Sequence, residues 1–355
     1  MKLVSLFLSM FMRTSIALIF MRTVTGALLL AGLSGIISPL PTEATSEKLV
    51  VYSGRKEKAI KPVVEAFTRQ TGVQVDLKVG MTSGLANAIR MERANPRGDV
   101  FIATEGGVME LLAREGLLEP YRSPATKAVP DEFKSATGAW TGISGRARIL
   151  LYNKNLVAEQ DVPRSIFELT DPKWKGKLAI AGTRERTTLS WVSALVAVKG
   201  EAFTRNYIKG LMANELKILA DNTEVWQGVG HGEFAVGLTN SPNYYLAKNL
   251  GLQVGVVYPD QGPAGFGTLI NPNAAAVIKG SANPDAARKF IDFLLSPEGQ
   301  RILVTVDYET PVIPAVDPGE VLPATAIKQP AVNEQRLADL AEPTLALLTA
   351  LSPAW

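Results

Sequence analysis

From Leu49 onward the spacing of apolar positions changes in step along the chain. Leu49-Val50-Val51-Tyr52 is a short unbroken apolar run that Ser53-Gly54 ends. Ile60, Val63, Val64 and Phe67 then recur at three- and four-residue intervals, and Thr71-Gly72 stops them. That spacing predicts an amphipathic helix with a glycine terminator. Val73 to Val79 alternates like a strand, Thr82-Ser83-Gly84 opens a second helix running through Arg93, and Asp99 to Ala103 reads as a third strand before a helix from Val108 to Glu115. Strands alternating with helices predict an α/β fold with a parallel sheet, in which ligands sit outside the carboxyl ends of the strands. Those ends are Ser53–Lys56, Gly80–Ser83 and Thr104–Gly107.

The pattern resumes further on. Ala147 to Tyr152, Leu178 to Ile180, Phe234 to Leu238 and Ala274 to Ile278 read as strands, Leu189 to Val198 as a buried helix and Asp285 to Leu295 as an amphipathic one. Pro311 to Pro330 predicts an irregular traverse, and Leu337 to Leu351 a terminal helix. The first 45 residues differ. After Met21, Arg22 supplies a basic start, Gly26 to Ile37 an apolar segment, and Thr42-Glu43-Ala44 a small-x-small cleavage site. This is the layout of a signal peptide, cleaved near Ala44 to release a soluble product. A membrane anchor is the competing reading, which Gly26, Gly32, Gly35 and Pro39 disfavour.

Composition narrows the chemistry. The 355 residues allow two domains. The absence of cysteine removes disulfides, thiolate metal sites, cysteine nucleophiles and a lipid-anchored N-terminus, and a single histidine removes His-rich metal sites. His231 itself lies between two glycines and reads as a turn residue. A net charge of +3 lacks the basic excess of a nucleic-acid binder. A binding protein remains, with a secreted hydrolase as a remote alternative.

Several stretches in order then resemble one family over nearly all of the expected mature chain. They are Val51-Tyr52-Ser53-Gly54-Arg55-Lys56-Glu57, Asp99-Val100-Phe101 before Glu105, Gly145-Arg146-Ala147-Arg148 leading to Tyr152-Asn153-Lys154, Asp171-Pro172-Lys173-Trp174-Lys175-Gly176-Lys177, Asn243-Tyr244-Tyr245, and Phe290 to Ile302. The chain is similar to the periplasmic solute-binding proteins of ABC transporters, in their ferric-ion-binding branch. The resemblance implies a two-lobed α/β periplasmic-binding-protein fold of type II, each lobe a sheet flanked by helices, closing on a ligand in the cleft. It also implies a monomer that delivers its ligand to an inner-membrane permease and ATPase. Residues 46–144 with 262–310 would form one lobe and 145–261 with 311–355 the other, with the glycines of Gly142–Gly145 and Gly262–Gly267 absorbing hinge rotation.

By the same resemblance Tyr244, Tyr245 and Glu105 are the candidate ligands of Fe³⁺. Ferric ion is a hard cation that favours anionic oxygen, and a loop placing both phenolates toward the cleft would supply it. The chain departs from the family elsewhere: Arg55-Lys56 stands where the family has histidine, Thr187-Thr188 where other members have a third tyrosine, and Ser241-Pro242 is an insertion before the tyrosine pair. An exogenous anion such as carbonate would complete the shell. Ser53, Lys56, Thr82, Ser83, Thr104, Arg146, Arg186, Thr187 and Asn222 are the candidate anion and ligand contacts. That set equally suits a phosphorylated or carboxylated small molecule, since cationic forks and helix N-termini bind anions. Both ligand classes stay open at this point.

Overall fold

The computed structural model describes residues 48–313, 317 and 319–355. The expected signal peptide and its cleavage site lie outside the described residues.

The first half follows the alternation. Strand β1 (Lys48–Ser53), helix α1 (Glu57–Thr71), β2 (Gln74–Val79), α2 (Thr82–Met91), β3 (Val100–Ala103) and α3 (Gly106–Arg114) succeed one another, and β1 pairs in parallel with both β2 and β3. Helix α1 buries Ile60, Val63, Val64 and Phe67, the residues its periodicity marks, and ends at Gly72 with φ 75°. After β4 (Leu118–Glu119) and the single turn α4 (Pro124–Ala128) comes β5 (Thr141–Asn153), which is 13 residues long. All of β5 is buried except Arg146 and Tyr152, which are half-buried, as expected of a central strand covered on both faces.

The second half runs through β6 (Leu178–Ala181), α5 (Arg186–Lys199), α6 (Glu201–Ala213), β7 (Lys217–Leu219), α7 (Asn222–Gly230), β8 (Val236–Asn240), α8 (Ser241–Asn249) and β9 (Val254–Val257). The chain then returns through β10 (Ile270–Ile278), α9 (Pro284–Leu294) and α10 (Pro297–Asp307) and closes with α11 (Glu334–Leu351). The strand order is β2-β1-β3-β10-β5-β8-β6-β7, with β4 beside β10 and β9 beside β5. Residues 141–147 of β5 pair antiparallel with β10, whereas residues 148–153 pair with β8 and β9. β5 is therefore the strand that ties the two halves of the sheet together. Helix α11 packs on α5 of the second half and on α3 of the first.

Helices α6, α8 and α10 are among those absent from the hydrophobic pattern as read above, and β8 begins two residues later than expected. Gly142 and Gly145 sit inside β5 for reasons of space. A Cβ at Gly145 would lie 2.4 Å from the Ile270 side chain, and one at Gly142 2.7 Å from the Phe133 carbonyl oxygen. Close strand packing, rather than rotational freedom, is what these two positions require.

A cationic cleft at the strand ends

The carboxyl ends of β1, β3 and β8 open on one cavity of about 570 Å³. Gly54, Arg55, Lys56, Lys58, Thr104 and Arg146 line it from one side, Glu185, Asn222, Thr223, Trp226, Asn240 and Asn243 from the other, and Asn273, Asp307 and Glu309 border it as well. Of the residues singled out from sequence, Lys56, Thr104, Arg146 and Asn222 reach it. Thr82 sits behind the wall, its hydroxyl 2.9 Å from that of Thr104. Ser53 is fully buried beneath Arg55 and accepts the Arg55 backbone N–H at 3.2 Å. Ser83 is exposed and Thr187 buried, and neither lines the cavity. Arg186 extends 3.9 Å from Glu105 at the seam between α3 and α5.

The expected metal set is not brought together. Tyr244 and Tyr245 lie on helix α8, not on a loop, and the inserted Ser241-Pro242 is what starts that helix, with proline at its first turn. Pro242, Asn243, Leu246 and Asn249 of α8 line the cavity; at 100° per residue Tyr244 falls on the opposite face and Tyr245 on the flank, and neither lines it. The Tyr245 hydroxyl donates to the Glu320 carbonyl at 2.8 Å. Its ring stacks on Tyr308 at 5.4 Å and meets Tyr244 edge-on at 5.0 Å. Burial pushes the Tyr245 phenol above its ordinary pKa, the reverse of what a phenolate ligand needs. Glu105 accepts the Thr104 hydroxyl at 2.9 Å and lies beside Arg186, outside the cavity. Among the described residues no group of three or more His, Asp or Glu is placed to hold a metal.

The cavity's charges divide into used and unused. Arg55 pairs with Glu309 at 2.6 Å and with Asp307 at 3.5 Å, and Glu309 also accepts from the Ser144 hydroxyl and, at 2.6 Å, from the Asn273 amide. Among the described residues Arg148, below the floor, has no carboxylate within ion-pair distance, though the charge of Glu185 on the cavity wall acts on it. Its guanidinium donates to Asn222 (2.9 Å), Asn240 (3.3 Å) and Thr188 (2.9 Å). Burial lowers its pKa to about 10. Because Arg148 engages the amide oxygens of Asn222 and Asn240, what remains for the cavity is the N–H₂ of Asn222 and the second N–H of Asn240, whose first reaches the Thr187 hydroxyl at 3.5 Å. Lys56 and Lys58 are left to a ligand, together with Arg146, whose guanidinium donates to the Thr104 carbonyl and whose Nε is buried without a partner.

The sequence profile of the bacterial extracellular solute-binding proteins matches residues 95–335. The chain belongs to that family. This solute-binding protein is 35% identical to the major ferric iron-binding protein of Neisseria meningitidis serogroup A, over 76% of its own length and 82% of the relative's. It superposes on iron-bound HitA of Pseudomonas aeruginosa with a TM-score of 0.78 at 29% identity, covering 86% of this chain and 99% of that one. The Trichodesmium protein FutA (IdiA), in complex with iron and citrate, gives a TM-score of 0.77 at 27% identity with the same coverage. The α/β periplasmic-binding-protein fold expected from the sequence is thus the fold found.

Asp307 and Glu309, with Lys58 and Glu185, are charged residues of the cavity that the sequence of this solute-binding protein did not mark. Asp307 ends α10 and Glu309 lies just beyond it, far along the chain from the strand ends they face, and no local motif marks them. Burial, reinforced by Glu309, raises the Asp307 carboxyl to about 6, against the opposing pull of Arg55, Arg146 and Lys58.

Proposed function

We propose that this chain is the periplasmic substrate-binding component of an ABC importer that captures ferric iron together with an anion and hands it to a membrane permease and its ATPase. The 35% identity to a ferric iron-binding protein over most of both chains carries the reading. The cleft agrees with a charged cargo of small-molecule size, since ligand sites run to about 300–1,000 Å³. Closure would proceed by the two halves of the sheet moving about β5 and β10, the strands that join them. Lys56, Thr104, Arg146 and Asn222 are the proposed contacts, and the N-terminal 45 residues the proposed export signal.

A test is elemental and mass-spectrometric analysis of protein purified from its own periplasm without refolding. Iron at one equivalent, with an accompanying organic or inorganic anion and a mature N-terminus near residue 45, is the expected result. Phosphorus without iron would replace this reading with that of a phosphorylated small molecule.

A further inference from the structure

We infer that the cargo enters the cleft as a preformed anionic ferric chelate, gripped through its free carboxylates by Lys56, Lys58 and Arg146, and that Tyr244 and Tyr245 do not touch the metal. This rests on the ferric reading above and specifies the form in which the iron is recognised. The first support is the rotation of α8. The face that carries Pro242, Asn243, Leu246 and Asn249 lines the cavity, and the Tyr245 hydroxyl is engaged by the Glu320 carbonyl behind it. A second support is the balance of charge. Glu309 is saturated by Arg55, Ser144 and Asn273, and Asp307 lies 3.5 Å from Arg55, so of the lining carboxylates Glu185 alone stands outside that network, against the three cations Lys56, Lys58 and Arg146. A bare trivalent ion would be repelled by those cations; a chelate with surplus carboxylates would be attracted.

The far wall fits the same cargo. Arg148 occupies the amide oxygens of Asn222 and Asn240. What they offer is N–H donors, which suit carboxylate oxygen and cannot ligate a cation. The cavity also has the volume of a small-molecule site rather than of an ion cage. The chelator's own hydroxyl and carboxylate oxygens then satisfy the iron, and the protein recognises the outside of the complex.

The experiment is equilibrium dialysis of the full mature protein against ferric citrate and, separately, ferric nitrilotriacetate, citrate and glucose 6-phosphate, with retained iron and anion quantified. The expected result is iron and citrate retained together, without a visible phenolate-to-iron charge-transfer band. Lys56→Gln with Lys58→Gln should weaken retention at least tenfold, and since both lysines are exposed the double variant keeps the fold. Tyr244→Phe and Tyr245→Phe should bind within twofold of the parent. Iron retained without citrate, or a coloured complex lost in either tyrosine variant, overturns the chelate inference and leaves the ferric reading standing. Parent-like retention by the double lysine variant overturns it as well. Retention of citrate or glucose 6-phosphate alone, with neither ferric complex bound, overturns the ferric reading and this inference with it.

Discussion

Two arginines are buried within a few residues of the cleft, and they are kept there by different means. Arg55, 3% exposed, has Glu309 at 2.6 Å and Asp307 at 3.5 Å. Arg148, 2% exposed, has two amide oxygens and a hydroxyl, and among the described residues no carboxylate within ion-pair distance. A buried charge with a counter-ion is self-contained, and removing one partner strands the other. A buried charge whose direct bonds all go to neutral dipoles leaves more of its field to an arriving anion, although the Glu185 carboxylate on the cavity wall already acts on Arg148. The first arginine fastens the loop after β1 to the strands crossing at Ser144 and Asn273. The second makes the opposite wall attractive to anions without standing in the cavity itself.

The largest effect should come from breaking the paired arginine. Arg55→Ala leaves Glu309 buried with an amide and a hydroxyl for company, at a cost of about 3–5 kcal/mol. A urea transition with a lower midpoint and an unchanged slope is the expected readout. A midpoint equal to the parent's would show that the pair does not hold the loop. Arg148→Met should cost less, about 1–3 kcal/mol for the polar groups left unmet. It should also abolish most of the thermal stabilisation that ferric citrate confers on the parent, because ligand stabilisation tracks affinity. Stabilisation by ligand equal to the parent's would separate Arg148 from anion binding.

A third buried charge extends the comparison with the opposite sign. Glu334, at the start of α11, lies against Gly106 at the head of α3 and faces Glu105 and Glu110. Burial first, then those two carboxylates, raise its pKa to about 8, against the Gly107 N–H. Because the folded state holds this proton more tightly than the unfolded one, the stability it contributes is full below the ordinary carboxyl range. It fades as pH rises toward and through 8. Glu334→Gln should therefore raise the melting temperature at pH 9, by on the order of 1–3 kcal/mol of stability, and leave it unchanged at pH 4. An equal gain at both values would assign the effect to packing. The smallest expected change is Tyr245→Phe, which loses the hydrogen bond to Glu320 and about 0.5–1.5 kcal/mol by thermal melting. A loss several times larger would mean that this hydroxyl does more than tie down the chain at Glu320.

Much of the fold was legible because local pattern and tertiary role coincide. Helix α1 buries the face its periodicity marks, and the open ends of β1 and β3 are where cavity-lining Lys56 and Thr104 stand. The tyrosine pair shows where legibility stops. Tyr244-Tyr245 is conspicuous as a dipeptide, yet its direction depends on whether the chain is helical there, and Pro242 at the first turn decides that. Read as a helix start, Asn240-Ser241-Pro242 would have put Tyr244 a half-turn from Pro242 and Tyr245 a half-turn from Asn243. Asp307 and Glu309 were beyond such reading, since they reach the cleft only through the return of the chain after β10. The same holds for Arg148: its position in β5 was visible, and the want, among the described residues, of a carboxylate within ion-pair distance was not.

That return has a consequence for how the chain is made. The inner edge of β3 is covered only by β10, Ala103 lying opposite Ala274, so the first half of the sheet stays incomplete until most of the polypeptide has been synthesised. Pairings of such high contact order form slowly, because the entropy of closing a long loop precedes any reward. A nascent chain that ends before Ile270 keeps the edges of β3 and β5 open to aggregation or to chaperones. Delayed closure of this kind also keeps the polypeptide threadable, the condition a secretory channel imposes on whatever passes through it unfolded.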